Sequence, residues 1–460
     1  MRTVLSNTWA LLFGMFLIML GNGLQGSALG VRGGIEGFGN VEMGLVMSGY
    51  FLGFLGGAQI TPRLLRRVGH VRVFAALASL ISAAMIIYAA VVDPIAWMVM
   101  RVLVGFCMSG VYVVAESWLN DGVDNRLRGQ ALSAYLIVQM LGIVIAQSLL
   151  NVADPAGYDL FIIMAVAVSV AVVPILLSVS PAPVFERTRR MSPRALYRVS
   201  PLGCVGSFFL GGMFACMFGM ASVYGSRAGL SNLEISVFIG ALYVGGLALQ
   251  YPIGWMSDRM DRRLLILIVT AASAGACVVA VLWGTASFPV LVAAAFLIGG
   301  TANPLYSLLV AYTNDYLEPE DMASAAAGLI VLNGIGAAGT PILVGYAMDL
   351  LGPPAFPAFM GVLMGAISLY ALFRMTVRPA TPVDETLPVA PMGMYGSPVA
   401  GTAAQEAVIE QAAAEAEAEA EAEAEAEAQA AAHAATWADG AAEDPGGDDG
   451  PEGGDRREPA

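Results

Sequence analysis

Lysine is absent from this chain of 460 residues, so all 22 basic residues are arginines. Phosphate-binding loops of the Gly-x-x-x-x-Gly-Lys type need a lysine that reaches the phosphates. A chain without lysine cannot contain such a loop, which excludes ATP hydrolysis at a site of this kind. Histidine is almost absent too, with only His70 and His433, and two histidines so far apart predict no zinc site.

Cysteine is also scarce. The four cysteines, Cys107, Cys204, Cys216 and Cys277, all fall inside apolar runs, where cysteine behaves as a small hydrophobe, and we predict no disulfide. The sequence contains no Gly-x-Ser-x-Gly elbow, no His-Glu-x-x-His pair and no clustered carboxylates. It therefore predicts neither enzyme activity nor a cofactor.

Charge is scarce over most of the chain. Charged residues make up 13% and hydrophobic residues 57%, and the mean hydropathy is +0.71. A soluble fold could not bury so much apolar surface, whereas a membrane bundle exposes it to lipid. The net charge of −14 comes from the C-terminal part, because residues 379–460 carry a net −17 and residues 1–378 a net +3. The low isoelectric point describes a tail and not the apolar body.

Long apolar runs account for that body. A membrane-spanning helix needs roughly 20 mostly apolar residues. Twelve runs qualify, at about 8–30, 43–61, 73–92, 95–118, 129–151, 159–179, 202–225, 233–255, 264–284, 289–312, 323–347 and 354–374. The first run is longer than a signal-peptide core and lacks a cleavage site before the second, so we predict a retained helix. The fold class is therefore an all-α integral membrane protein with twelve transmembrane helices.

Arginine placement predicts the orientation. Counted over alternate loops from the N-terminus, 17 arginines lie on the side of the termini, and only Arg32 and Arg227 lie in the opposite loops. The positive-inside rule then places both termini in the cytoplasm. One missed helix would invert every later loop, so this ratio also supports the count of twelve.

An arginine-rich loop occurs twice, after the second span and after the eighth. The copies run from Pro62 to Arg72 and from Gly254 to Arg263. Such a repeat predicts two pseudo-symmetric six-helix bundles, at 1–179 and 202–375, joined by a central cytoplasmic loop at 180–201. Residues 376–460 are predicted to be a disordered cytoplasmic tail, because the alternating Glu-Ala run gives a helix no apolar stripe with which to dock.

These motifs resemble those of the major facilitator superfamily. Its signature loop reads roughly Gly-x-x-x-Asp-Arg-x-Gly-Arg-Arg, which the second copy matches at Gly254, Asp258, Arg259, Arg262 and Arg263. The first copy keeps Arg67, Gly69 and Arg72, but Arg66 replaces the aspartate. The fourth span carries Arg101-Val-Leu-Val-Gly105 and then Glu116-Ser-Trp-Leu119, which is similar to the YcaD-like branch of the family.

The resemblance implies a secondary transporter that works by alternating access. Its implied partners are a small organic solute, the lipid bilayer and protons as the coupling ion; no nucleic acid is expected, and the protein would function as a monomer. The fifth span lacks the Gly-Pro motif that is usual in drug/proton antiporters of the family. The substrate and the direction of transport stay open. Arginine and alanine content and the short N-terminus favour a bacterial inner membrane.

Charged residues inside or beside the spans are the candidates for gating and coupling, because such charges are costly in lipid. Arg101 either holds an anion or a proton-bearing partner, or is a structural arginine that bonds backbone carbonyls. Glu116 is predicted to meet Arg66 or Arg67 at the cytoplasmic mouth. Asp258 is expected to cap a helix or to pair with an arginine, while Arg259, Arg262 and Arg263 either gate or serve topology alone.

Polar residues of the spans are the candidates for substrate binding. The resemblance implies that the first, fourth, seventh and tenth spans line the cavity. The candidates are Asn22, Gln25, Tyr224, Asn303 and Tyr306, with Gln139 of the fifth span. Asn303-Pro304 also marks a place where the tenth span can break. For each of these residues, hydrogen bonding between helices is the competing interpretation.

One alternative function remains on the sequence alone. A non-transporting sensor or scaffold of the same fold could act through the acidic tail. Deletion of the residues after Arg378 separates the two hypotheses, since a transporter keeps its flux without the tail.

Overall fold

The computed structural model describes residues 2–121, 125–177, 191–377 and 420–431. Twelve helices in these ranges are long and apolar enough to cross a membrane, and they coincide with the twelve predicted runs. The predicted all-α membrane fold is confirmed. The helices extend beyond most of the apolar runs, because polar residues continue the helices past the hydrocarbon boundary.

The first six spans are single helices. Their bounds are α1 Arg2–Ile35, α2 Asn40–Val68, α3 His70–Ala90, α4 Pro94–Asp121, α5 Asn125–Leu149 and α6 Asp159–Leu177. We call the end of the bundle where α1 begins the terminal end, and the opposite end the distal end. Odd-numbered helices of this set therefore run toward the distal end and even-numbered ones back.

The second six spans begin after a short helix, α7. The bounds are α7 Pro193–Val199, α8 Pro201–Ala215, a π-helix Cys216–Met220, α9 Ala221–Arg227, α10 Asn232–Ser257, α11 Arg262–Trp283, α12 Phe288–Asn314, α13 Pro319–Leu351 and α14 Ala355–Val377. The seventh span consists of α8, the π-helix and α9.

Local sequence explains where several helices begin and end. Ser231 and Glu234 form a capping box at the start of α10, each side chain accepting a hydrogen bond from the other residue's backbone N–H. Gly69 and Gly352 end α2 and α13 with φ near +80°, a backbone conformation in which a side chain would be strained. Tight turns of this kind let consecutive helices pack antiparallel.

The same glycine crossing occurs in both halves. A Cβ on Gly105 of α4 would overlap the carbonyl oxygen of Tyr50 in α2, and a Cβ on Gly299 of α12 would overlap that of Leu242 in α10. Small residues let membrane helices approach until their backbones touch. Gly105 of α4 and Gly299 of α12 therefore occupy equivalent positions in the internal repeat, 194 residues apart.

Two local features were not predicted from the sequence. The central loop contains a seven-residue helix, α7, whose Leu196 is buried and whose first turn is capped by Ser192; residues 178–190 lie outside the described residues. The tenth span is continuous through Pro304, since α12 runs unbroken from Phe288 to Asn314. The interruption lies in the seventh span instead, as the π-helix.

The predicted tail falls mostly outside the described residues. Residues 420–431, within the Glu-Ala repeat, form a helix with every side chain exposed. The predicted disorder of residues 376–460 stays a prediction.

Candidate functional site

A small cavity lies between the first six spans and the last six, with about 30 Å³ of free space in this conformation. That is room for a water molecule or two. Helices of both halves contribute to its wall. The lining residues are Asn22, Gly23, Gly26, Ser27, Tyr50, Phe51, Arg101, Ile143, Met217, Phe218, Ser222, Ile239 and Tyr243.

Arg101 supplies the charge in this wall. It lies seven residues into α4, about 10 Å along the helix axis, and only 4% of it is exposed. Nη1 donates to Oε1 of Gln25 at 3.1 Å and Nη2 to the sulfur of Met47 at 3.0 Å. The guanidinium also lies over the ring of Tyr50, 5.1 Å from its centroid. Gln25, Met47 and Tyr50 thus contact the guanidinium through their side chains.

Two of the six predicted substrate-binding residues belong to this region. Asn22 lines the cavity, and Gln25, one helical turn further along α1, is buried and orients Arg101. Ser27 of the same helix lines the cavity and donates to Oε1 of Gln147 at 2.6 Å. The spacing of three residues between Asn22 and Gln25 places both on the side of α1 that faces α4.

The other four candidates do not line the cavity in this conformation. Tyr224 stacks on Phe356 with ring centroids 4.8 Å apart. Asn303 donates to the carbonyl oxygen of Gly299 at 2.7 Å, and Tyr306 and Gln139 are buried away from the cavity wall. Contact of these residues with a solute stays a prediction.

The helices that form the wall differ from the implied set. Described residues of the second, fifth and eighth spans join those of the first, fourth and seventh, whereas none of the tenth span does. The tenth span, α12, packs directly on α10, where a Cβ on Gly246 would overlap Asn303. None of its described residues lines the cavity. The aromatic lining residues, Tyr50, Phe51, Phe218 and Tyr243, were missed, since nothing in their spacing distinguishes them from lipid-facing aromatics.

The distal end of the cavity is closed by small residues. A Cβ on Gly30 of α1 would overlap Ser222 of α9, and a Cβ on Gly34 would overlap Ser226. The hydroxyl of Ser222 donates to the carbonyl oxygen of Gly26 at 3.0 Å. We call the contact of Gly30 and Gly34 with Ser222 and Ser226 the distal seam. It brings the two halves into backbone-level contact.

Polar contacts reinforce the closure. Arg227 donates from Nε to Oδ1 of Asn40 at 2.9 Å and also bonds the carbonyl oxygen of Phe38. Asn40 in turn donates to Oδ1 of Asp349 at 2.8 Å. Asn40 belongs to the first half, and Arg227 and Asp349 to the second. The chain of bonds therefore links the halves and has to break when the distal end opens.

The π-helix connects the cavity to the distal seam. Met217 and Phe218 of this turn line the cavity, and α9 directly after it carries Ser222, Ser226 and Arg227. Single π turns inside α-helices occur frequently at functional sites, because the wider turn adds one residue to the helix. The seventh span therefore changes geometry where it passes from the cavity wall to the seam.

The predicted pairing of Glu116 with the first arginine loop is not formed in this conformation. Glu116 is 1% exposed and accepts a hydrogen bond from Tyr135 at 3.3 Å. Arg66 and Arg67 are exposed and make no ion pair within the described part of the chain. The physical reason is that they project into solvent from the last turn of α2. Their role in gating stays a prediction.

The second arginine loop is held by a buried ion pair. Arg262 bonds Asp315, which follows the end of α12, and their side chains are 3% and 4% exposed. Burial raises the pKa of Asp315 to about 6, outweighing the nearby Arg262, which lowers it. The carboxyl is therefore largely ionised at pH 7 and takes up a proton as the pH falls through about 6. In the first half, His70 begins α3 as Arg262 begins α11. Its Nε2 lies 3.1 Å from the hydroxyl oxygen of Ser117.

The other charged residues of this loop cap a helix, form ion pairs or lie over an aromatic ring. Asp261 caps α11 by accepting from the backbone N–H of Arg263 at 2.9 Å, and it also pairs with the side chain of Arg263 at 2.8 Å. Burial alone would raise the pKa of Asp261, but these hydrogen bonds hold it below its usual value. Asp258 lies 3.8 Å from Arg262, so of its two predicted roles it takes the ion pair. Arg259 lies over the ring of Trp255.

Comparisons with known proteins agree with this architecture. The family model described as Major Facilitator Superfamily matches residues 11–246 and 203–403. The uncharacterized MFS-type transporter YcaD of Escherichia fergusonii is 26% identical over 341 residues, which is 73% of this chain and 82% of that protein. This relative supports the branch that the fourth-span motif indicates.

Solved structures show the same fold at low sequence identity. A mutant of the nucleoside transporter NupG superposes with a TM-score of 0.66 at 14% identity and covers 80% of this chain and 99% of that one. The E. coli fucose:proton symporter FucP gives a TM-score of 0.51 at 13% identity, covering 81% and 99%. With twelve spans, a duplicated helix crossing and a family model that matches most of the sequence, the chain belongs to the Major Facilitator Superfamily.

Proposed function

We propose that this protein is a secondary active transporter that moves a small organic solute by alternating access and couples this movement to protons. The single observation that carries the proposal is a cavity between the halves that contains Arg101 and is closed at the distal end by the seam of small residues. A charge at this depth is costly unless it serves a solute or a partner. Membership of a transporter family supports the same function.

The proposed orientation follows the arginine count. With both termini in the cytoplasm of a bacterial cell, the distal end faces away from the cytoplasm, and this conformation is closed to the outside. Rocking of one half against the other would then separate Gly34 from Ser226 and open the opposite face. We propose that a monomer performs the cycle without a cofactor and without catalysis, since each half supplies one side of the cavity.

Proton coupling is supported by two acidic groups at the terminal end. Glu116 is buried beside Tyr135, and Asp315 has a pKa raised to about 6, in the range where a cytoplasmic pH change alters its charge. FucP, of the same fold, is a fucose:proton symporter. Each carboxyl could take up a proton in one conformer and release it in the other.

The coupling is tested with the purified protein in vesicles. A thermal-shift screen that compares wild type with Arg101→Ala first identifies an accepted solute. Vesicles loaded with the pH dye pyranine then receive a gradient of that solute. We expect the solute gradient to change the lumenal pH, and an imposed pH gradient to accelerate solute flux. Flux that is unaffected when the pH gradient is collapsed would contradict proton coupling while leaving transport in place.

The alternative of a sensor or scaffold makes a different prediction for the acidic tail. Residues 379–460 carry a net −17 and follow the last of the twelve spans. A chain that ends at Arg378 should therefore transport the screened solute at the wild-type rate per folded molecule. Loss of flux in a truncated protein that still shows cooperative unfolding and normal solute binding would favour the tail-dependent function.

A further inference from the structure

We infer that the solute is an organic anion, a carboxylate with an aromatic or branched apolar body. This inference rests on the proposed transport function and specifies the substrate class of the same cavity. It follows from the sign of the charge in the cavity, the chemistry of the groups that now contact Arg101, and the composition of the remaining wall.

The cavity is positive. Of the described residues that line it, Arg101 is the one with a charge, and none is Asp or Glu. In the described part of the chain, the acidic residues next to the spans lie in loops or close to helix ends. Glu116 lies farthest from a helix end among them. Glu116 is fifteen residues from Arg101, about 22 Å along α4, too far for its carboxylate to offset this charge at short range. A cationic solute would be repelled, and an anion would be attracted.

Two hydrogen-bond partners of Arg101 are weaker acceptors than a carboxylate. Nη2 donates to the thioether of Met47, a weak acceptor, and Nη1 to the neutral amide of Gln25. A guanidinium binds a carboxylate through two parallel hydrogen bonds, and charge-assisted bonds are about twice as strong as neutral ones. An incoming carboxylate would therefore exchange weak bonds for strong ones. Gln25 and the ring of Tyr50 hold the guanidinium in place for this exchange.

The rest of the wall fits an apolar body. Phe218 and Tyr243 pack with ring centroids 5.0 Å apart, and Tyr50 and Phe51 lie 5.4 Å apart. Ile143, Met217 and Ile239 complete this surface. The polar side chains Asn22, Ser27 and Ser222 are too few to bond a sugar on all sides, and no lining carboxylate is present to receive the ammonium of an amino acid or peptide. An aromatic or branched carboxylate satisfies both parts of the wall.

Three probes of one shape and different charge test the inference. Benzoate, benzamide and benzamidine are an anion, a neutral molecule and a cation on the same ring. Binding to the detergent-purified full-length protein is measured by thermal shift and calorimetry, with phenylacetate and 3-methylbutanoate as larger and branched carboxylates. We expect carboxylates to bind and benzamide and benzamidine not to. Equal or tighter binding of benzamide or benzamidine, or no binding by any of the three carboxylates, would overturn the inference.

Variants assign the effect to Arg101. Arg101→Gln should weaken benzoate binding by ~10-fold or more, the loss of a charge-assisted hydrogen bond, and Arg101→Lys by less. Arg32→Gln is the matched control, because Arg32 is equally buried but does not line the cavity, and benzoate should still bind. Benzoate binding that is unchanged in Arg101→Gln would overturn the assignment.

A second variant covers the case in which Arg101→Gln fails to fold. Asn22→Asp changes few atoms and places a carboxylate in the same cavity. It should abolish benzoate binding and allow benzamidine to bind, and benzoate binding that persists would overturn the inference. Benzoate that binds wild type but does not enter vesicles would leave the anion site standing and refute transport. Transport of a neutral solute, with no binding of any carboxylate, would refute the anion site and leave the proposed transport function standing.

Discussion

Oxidation of a Gly34→Cys/Ser226→Cys variant is expected to arrest transport, and reduction is expected to restore it. An ideal Cβ on Gly34 lies 3.3 Å from the Cβ of Ser226, just below the roughly 3.5–4.5 Å spacing typical of disulfides. The sulfur that replaces the hydroxyl oxygen of Ser226 has to take a different rotamer, because that oxygen lies 2.2 Å from the new Cβ. Because the two residues belong to different halves, a disulfide holds the distal end closed. The measurement is flux of the screened solute into vesicles before and after dithiothreitol.

The controls are built into the same chain. The four native cysteines are free and buried, and their replacement by alanine leaves the engineered pair as the only thiols. Ser226→Cys alone should transport under oxidising and reducing conditions alike. The oxidised double variant should still bind solute, since the seam closes one end and leaves the cavity wall intact. Full flux in protein whose disulfide is verified by mass spectrometry would refute the opening of the distal seam.

Separation of Arg262 from Asp315 is expected to have the largest effect on stability. Arg262→Ala leaves a buried carboxylate and should cost about 3–5 kcal/mol, whereas Asp315→Ala should cost less, because Asp258 still lies 3.8 Å from the guanidinium. The double variant Arg262→Met/Asp315→Leu should lie closer to wild type, because neither charge is then left alone. Unfolding of the purified protein in detergent is followed by circular dichroism.

The neighbouring pair supplies the matched comparison. Asp261 is 29% exposed where it meets Arg263, so Arg263→Ala should cost about 1 kcal/mol or less. Equal losses for Arg262→Ala and Arg263→Ala would contradict the importance of burial. The pKa of Asp315 rises from 3.8 to about 6 on folding, so the folded state binds this proton more tightly. Stability should therefore fall as the pH rises from about 4 to 6, and Asp315→Asn should remove that dependence.

The fold followed from the sequence because its determinants are local. Twenty apolar residues cross a membrane whatever their neighbours are, and the arginines of the loops give a consistent orientation. Arg101 could be placed in the site for the same reason, since an isolated charge within a span needs a polar environment. Arg101 and Asn22 line the cavity, and Gln25, on the same face of α1 as Asn22, bonds Arg101; their functional roles stay predictions.

The remaining parts of the site depend on how helices are rotated against each other. Asp315 looks like an ordinary loop residue, and its burial arises only when α11 packs on α12. The pairing of Glu116 with Arg66 or Arg67 was inferred from nearness along the bundle, whereas in this conformation Glu116 accepts a hydrogen bond from Tyr135 of α5. Among 53 glycines, nothing local marks Gly30 and Gly34 as the ones that meet α9.

The π-helix in the seventh span sets the direction in which every later side chain of that span points. Each residue of an α-helix rotates the chain by about 100°, so one residue added to a turn moves every later side chain by that angle. Ser222 and Ser226, four residues apart, face α1 only with this offset in place. If Cys216–Met220 wound as an ordinary helix, the serines would point about a quarter of a turn away from the glycines. The wall of the cavity and the alignment of the distal seam are therefore set by the same five residues.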